Sequence, residues 1–393
     1  MRLSKEELDK IAAEAGKYGL WSYSRFSTYR TSPYEYFLSY IKHEDPETEV
    51  VSAYAGLGGA AHDILENLYE GGCELTNEEM FEKWNEDWVY NVDFIGAKFN
   101  RADDEKNQWL QERYKENVDL FFMNYKPIPY KVYCEKHVVI KVGEVTFHGY
   151  IDAAFQKEDG TVEICDFKTS TIFTGKQVDL HAHQLALYAE GMRQMGVPKE
   201  KIKCYFNFLK YATVYRLKAD GKGWIQGTYE RRLIGQKLSS KITSWCKRLK
   251  YSEEEINAAV AQAMTDNGID NLPEELKSKF RIECARIYID DPFAIFDSFK
   301  DEAEETIKEI YEKTKLYEET HDETIFYDSE EQLKENSYYL SMITDYSISQ
   351  LKPYAEYLKR KEEEQTANED LLGVTNKANA SDNWESSLDA LFS

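Results

Sequence analysis

Asp166 and Lys168 lie two positions apart in ICDFKTS (164–170), at the end of an apolar run. In an extended strand side chains alternate, so Val162, Ile164, Asp166 and Lys168 share one face while Glu163, Cys165 and Phe167 share the other. An acid and a lysine placed in this way make an ordinary ion pair, and alone they would mean no more. A second carboxylate changes the reading. Asp152 closes HGYID on the preceding β-like segment, where a meander of the two strands would set it beside Asp166. Carboxylates brought together repel and raise each other's pKa, unless a divalent cation sits between them. Mg²⁺ suits such a site, with one or two carboxylates, a backbone carbonyl, waters and a phosphate oxygen as ligands. Lys168 would stand near a metal-bound water, to orient it, help deprotonate it or stabilise the transition state. The chemistry is metal-assisted phosphodiester hydrolysis.

The elements that must position these residues are legible in outline. Residues 1–126 read as helical. SKEELDKIAAEAG opens on Ser4 with Glu7 three positions later, a capping box. Pro33 starts a helix in TSPYEYFLSYI. AAHDILENLYEGG ends at Gly71 and Gly72, and two charged, Trp- and Tyr-rich helices run on to Tyr125. Pro127 and Pro129 break the chain. In 127–222, KVYCEKHVVIKV, VTFHGYIDAAFQ and TVEICDF alternate between turns at Gly143 and Asp159-Gly160, which predicts an antiparallel meander. QVDLHAHQLALYAEGMRQMG then reads as a helix, and KIKCYFNFLKY with ATVYRLKA as a further hairpin. Strands, helix, strands make an α/β core. Residues 223–365 read as helical and charged, and 366–393 as a disordered acidic tail.

GYID, DFK and a helix carrying QLALY, in that order, resemble the PD-(D/E)XK nuclease superfamily, and most of all its RecB-like and CRISPR-associated exonuclease branch. GLGGAAHDILENL supplies His62 upstream, and SYSRFSTYRTSPYEYFLSY is similar to an opening SxSR…xP motif, with Ser22, Ser24, Arg25 and Pro33. The resemblance covers roughly residues 21 to 210. It implies a central mixed β-sheet of restriction-endonuclease-like type flanked by helices. It further implies that Asp152 and Asp166 bind metal with the Phe167 carbonyl, and that Lys168 serves the water. His62 would be a further ligand, favouring Mn²⁺ beside Mg²⁺. Gln184 and Tyr188, four apart and on one helix face with His181, would contact substrate phosphate or order Lys168. Ser24 and Arg25 would touch nucleic acid, and Glu135 stands where relatives often carry an acid. Some relatives hold an iron–sulfur cluster whose first cysteine precedes the motif proline. Ser32 stands there in this chain, with no close cysteine trio downstream, so no cluster is expected.

Composition narrows the setting. A net charge of −23 on 393 residues argues against nonspecific wrapping of nucleic acid. Six cysteines without a CxxC pair suggest reduced thiols in the cytoplasm. Neither a signal peptide nor a membrane span is expected. GLGGAA fits a dinucleotide turn only superficially, since no second parallel strand follows; its glycines are expected to let the His62 helix approach the sheet. No Walker A sequence is present. Lys247 and Arg248, close to Trp245 and Tyr251, suit single-stranded nucleic acid or simply a solvated helix face. The closing SSLDALFS, with Leu388, Leu391 and Phe392, is similar to peptides that dock on sliding clamps, and distantly to the tips of single-strand-binding proteins; an ordinary frayed terminus is the alternative. The expectation is a metal-dependent exonuclease acting on DNA that is single-stranded or has free ends, in recombination, repair or replication, with a phage or prophage as one setting for so compact an enzyme. A structure-specific endonuclease, a CRISPR-adaptation trimming nuclease (disfavoured by the missing cysteines) and a catalytically silent binding scaffold are the alternatives.

Overall fold

A computed structural model describes residues 3–72 and 74–372 of the protein; Leu388 to Phe392 lie outside the described residues. Ser4 caps α1 (Lys5–Glu14) through the expected capping box. A short strand β1 (Leu20–Ser22) runs directly into α2 (Tyr23–Thr31), whose cap is Ser22. Pro33 occupies the first turn of α3 (Pro33–Tyr36), where its missing N–H costs nothing. Then come α4 (Ala53–Glu70), α5 (Asn77–Trp88) and α6 (Asp104–Asn124). The middle of the chain supplies β2 (Val132–Val142), β3 (Val145–Gln156), β4 (Val162–Lys168), α7 (Lys176–His181) and α8 (His183–Gln194). After β5 (Ile202–Leu217) and β6 (Trp224–Glu230) follow α9 (Ile234–Arg248), α10 (Glu253–Asp266) and α11 (Glu274–Lys277). β7 (Phe280–Ile289), α12 (Pro292–Thr320), α13 (Glu330–Glu335) and α14 (Lys352–Leu372) complete the series. No helix is long and apolar enough to cross a membrane among the described residues.

The strands form one mixed, seven-stranded sheet with helices on both faces, a restriction-endonuclease-like α/β arrangement. The predicted meander β2–β3–β4 is antiparallel throughout. β4 lies parallel to β5, as the α7–α8 crossover between them requires. One face is buried by α2, α3, α8 and α12, around Phe26, Phe147, Leu185 and Phe206. The other is buried by α4, α5 and α6, around Leu65, Trp84, Phe121 and Tyr205. A third core joins α9 and α10 to the far end of β5.

Three expectations need correction. KIKCYFNFLKY and ATVYRLKA are not a hairpin but one 16-residue strand, β5, whose pairing with β7 shifts register between Phe208 and Ala212. Residues 223–365 are not all helical, because β6 and β7 lie among them and extend the sheet. In FRIECARIYI the exposed Arg281 and Glu283 alternate with residues turned inward, and Arg286 and Tyr288 do so after a change of phase at Cys284–Ala285, the period of a strand with one break in it. The glycines of GLGGAA do not all serve the sheet. A Cβ on Gly56 would strike the Asn91 side chain at 2.3 Å, whereas Gly59 has open space around it.

Candidate active site

β3 carries the site because its two edges are used differently. β2 pairs along nearly all of one edge. On the other edge β1 pairs with Thr146–His148 and β4 with Ala153–Gln156, leaving Gly149 to Asp152 without a strand partner. Ala153↔Cys165 is the last β3–β4 pair before the strands part. Asp152 and Asp166 are the next residues on either side of that fork.

The chain also turns itself over at this point. Phe147 and Ile151 pack on the α8 side, yet Ala153 and Phe155, of the same parity, pack on the α4 side. The partner strand inverts in step, between Cys134 and Val138, with Glu135 in the left-handed region at φ 48°. The neighbouring pairs Cys134↔Ala153 and Lys136↔Ile151 set Glu135 opposite Asp152. A non-glycine residue in that conformation is strained by about 1–3 kcal/mol. Here it accompanies the change of face that brings Asp152 to the open edge.

Asp166 is 3% exposed, and Lys168 Nζ stands 2.7 Å from its Oδ2. Asp152 Oδ2 accepts the Phe167 backbone N–H at 3.0 Å. From α4, His62 reaches both: its Nε2 donates to the Phe167 carbonyl at 2.8 Å, and its Nδ1 lies 3.5 Å from Asp152 Oδ2. Gly58, one helical turn earlier, faces Thr169, whose Oγ1 would be in ordinary van der Waals contact with a Cβ there, at 3.5 Å.

Burial and the neighbouring Asp166 charge push the Asp152 carboxyl up to about 6, against the opposing pull of His62, Lys168 and the Phe167 N–H. Burial works to lower the Lys168 pKa, but the Asp166 and Asp152 carboxylates outweigh it and leave the ammonium above its ordinary value. Lys168 is therefore a cation at neutral pH.

Gln184 and Tyr188 are brought together, Gln184 Nε2 donating to the Tyr188 hydroxyl at 2.9 Å. That leaves the phenol proton free to be donated. Burial raises the Tyr188 pKa, assisted by Asp152, Asp166 and Glu135, so the phenol keeps its proton. Gly149 makes the room, since a Cβ there would lie 2.6 Å from the Tyr188 ring. His181 ends α7 and stacks on Phe173 with centroids 3.9 Å apart. Arg25 lies over the Trp21 ring at 4.1 Å and donates to the Tyr36 hydroxyl at 2.9 Å, while Ser24 Oγ is 3.0 Å from Ser22 Oγ. Lys247 and Arg248 end α9 on the third core, where Arg248 lies over Trp245 and Nη1 reaches the Ala219 carbonyl at 3.5 Å. Among the described residues no hydrogen bond, ion pair or ring contact joins them to the fork. Tyr23 escaped the sequence reading although its phenol and the Lys168 ammonium act on each other electrostatically. Its only signal is its place directly after β1, which pairs beside the open edge.

The donors fit a divalent cation. Among the described residues no three His, Cys, Asp or Glu side chains are already gathered as a metal cage, His62, Asp152 and Asp166 included; a cation would have to draw the two carboxylates, the imidazole and the Phe167 carbonyl together. Adjacent ligands on an octahedron with bonds of about 2.1 Å stand about 3 Å apart, and His62 Nε2 and Phe167 O are 2.8 Å apart. Moving the imidazole proton to Nδ1, towards Asp152, would free the Nε2 lone pair. Hard oxygens with one imidazole suit Mg²⁺ or Mn²⁺. Residues 20–323, most of the chain, match the family described as the PD-(D/E)XK nuclease superfamily. No curated protein matches the chain.

Proposed function

The chain belongs to the PD-(D/E)XK nuclease superfamily, and from that premise we propose that it is a Mg²⁺- or Mn²⁺-dependent deoxyribonuclease of RecB-like type, acting from DNA ends. The observation that carries this reading is the fork: a buried carboxylate, Asp166, and a half-buried one, Asp152, on parting strands, with Lys168 2.7 Å from the first. Asp152, Asp166 and the Phe167 carbonyl would hold the ion, with His62 as a fourth donor. When bound, it supplies Lewis-acid activation of water and neutralises charge on the phosphate. Asp166 fixes the Lys168 ammonium at the mouth of the fork, and the raised pKa keeps it charged. A fixed cation there stabilises the negative charge that grows on a phosphate oxygen as the nucleophile adds. Lys168 thus acts as an electrostatic stabiliser and not as the base. Tyr188, oriented by Gln184, offers a hydroxyl proton to a non-bridging phosphate oxygen.

End-labelled linear DNA and closed circular DNA, each incubated with Mg²⁺, Mn²⁺ or Ca²⁺, test the proposal. Loss of linear but not circular DNA is the expected result, abolished in Asp166→Ala and Lys168→Ala. Cleavage of circular DNA would make it an endonuclease. Absence of cleavage in every metal, or cleavage that persists in both variants, would overturn the enzyme.

A further inference from the structure

The sheet has a second opening, beside the first. β4 pairs with β5 up to Lys168↔Phe208, and β6 resumes on the same edge only at Tyr211↔Glu230. On the opposite edge β7 steps from Phe208↔Ala285 to Ala212↔Cys284, so residues 209–211 bulge out of the ladder. Bulges next to active sites commonly re-aim a side chain. Here the re-aimed side chain is Lys210, two residues past the partner of Lys168 and so about 7 Å further along the strand.

Its surroundings hold more positive than negative charge. Arg113 is paired with Glu230, to which Arg232 also donates at 2.9 Å. Half-buried Glu230 is thereby shared between two guanidinium groups, and Arg232 has the exposed Glu116 besides, at 3.8 Å. Lys210 makes no ion pair among the described residues; its ammonium lies 5.0 Å from the Tyr114 ring centroid. Burial and the Arg113 charge lower its pKa to about 7, with Glu230 opposing. An anion entering there would relieve both effects. The Tyr114 hydroxyl, buried without a well-formed hydrogen bond, faces Thr169, the residue after Lys168. Trp109, one helical turn before Arg113 and 5.0 Å from its guanidinium, is 49% exposed.

A single helix face connects this cluster to the fork. Tyr54, Gly58 and His62 recur every four residues along α4. Tyr54 interacts electrostatically with Tyr114 and Arg113, Gly58 lies against Thr169, and His62 bonds to Phe167. Eight residues of helix span about 12 Å, a distance that a few nucleotides bridge.

We propose that the β5 bulge is a substrate-strand subsite, in which Lys210 binds a non-scissile backbone phosphate of the nucleic acid and Trp109 stacks on a base at its rim. The assignment rests on the nuclease reading, which makes nucleic acid the ligand. Lysine serves phosphate as a compact point charge, and an exposed tryptophan beside cations is a stacking platform for single strands.

Fluorescence anisotropy of a 5′-labelled single-stranded oligonucleotide, titrated with the full chain in EDTA over a series of salt concentrations, tests this without cleavage. Lys210→Ala should weaken binding about tenfold and flatten the slope of log K against log[salt] by about 0.7, the contribution of one phosphate contact to a single strand. Lys210→Arg should restore the slope. Trp109→Ala should weaken binding about tenfold with the slope unchanged. A Lys210→Ala protein that folds and keeps the wild-type slope overturns the subsite. Should that variant fail to fold, wild-type affinity in Trp109→Ala overturns it instead. The predicted slope change in a chain that cuts no DNA would sink the nuclease and leave the subsite standing. Cleavage dependent on Asp166 with an unaltered Lys210→Ala slope would do the reverse.

Discussion

Two acids of the same seven-residue strand are each paired with a lysine, and the pairs have different consequences. Glu163, 1% exposed, is paired with Lys157 inside the closed end of the β3–β4 hairpin. Asp166 is nearly as buried and pairs with Lys168, but it sits where the ladder opens and a second carboxylate faces it. One lysine balances one acid in the first place. In the second, one lysine meets two acids, and burial together with that surplus charge raises the Asp152 carboxyl to about 6. What separates a structural ion pair from a candidate metal site is therefore not the pair but the strand that is missing beside it.

The largest expected effect falls on the open pair. Lys168→Ala should lower cleavage by about 10²–10³-fold, as removal of a preorganised charge does, whereas Glu163→Gln should leave kcat unchanged within about twofold at equal folded fraction. Comparable losses from both variants would erase the distinction. His62→Ala comes next, with metal affinity, followed by calorimetry, weakened about 10–100-fold. Unchanged affinity would reduce His62 to a prop for the Phe167 carbonyl.

Stability then sharpens the contrast by its sign. The Asp152 pKa is higher folded than unfolded, so between about pH 4 and 6 the native state binds the extra proton and stability falls as pH rises. Above pH 6 the ionised carboxylate costs about 1–3 kcal/mol, from a shift of roughly two units at 1.36 kcal/mol each. Asp152→Asn should therefore stabilise the metal-free protein at pH 8 by that amount while abolishing cleavage, and the gain should vanish towards pH 4; a loss of Tm at pH 8 would refute the strained-carboxylate account. Metal binding should weaken below about pH 6, where the ion must displace a proton. Smallest of all, Glu163→Gln should destabilise by about 1–2 kcal/mol, less than a fully buried pair because Lys157 is partly exposed.

The meeting of Asp152, Asp166 and Lys168 was legible because period-two alternation and motif order are local properties of the sequence. The meander was legible for the same reason, with its turns marked by Gly143 and Asp159-Gly160. β5 was misread because its register shift lies in LKYA, where no glycine or proline marks an irregularity and opposing strands create one. β7 was hidden by the density of charge around it, since an edge-facing strand can carry Arg281, Glu283 and Arg286 outward. Tyr23 and Lys210 carry no local signal. Each matters through a break in pairing on another strand, which is a property of the assembled sheet.

The fork also has a history within each molecule. Its open edge is bounded by β1, and Leu20 must find Thr146 across the whole run of α2 to α6. β5 is completed only when β7 returns to it from beyond α10. Contacts so remote along the chain are slow to form, because loop closure precedes any gain from pairing. Helices should thus appear on refolding well before the nuclease does. The carboxylates would face each other only once nearly everything else is in place, so a half-folded chain would hold Asp152, Asp166 and Lys168 without bringing them together.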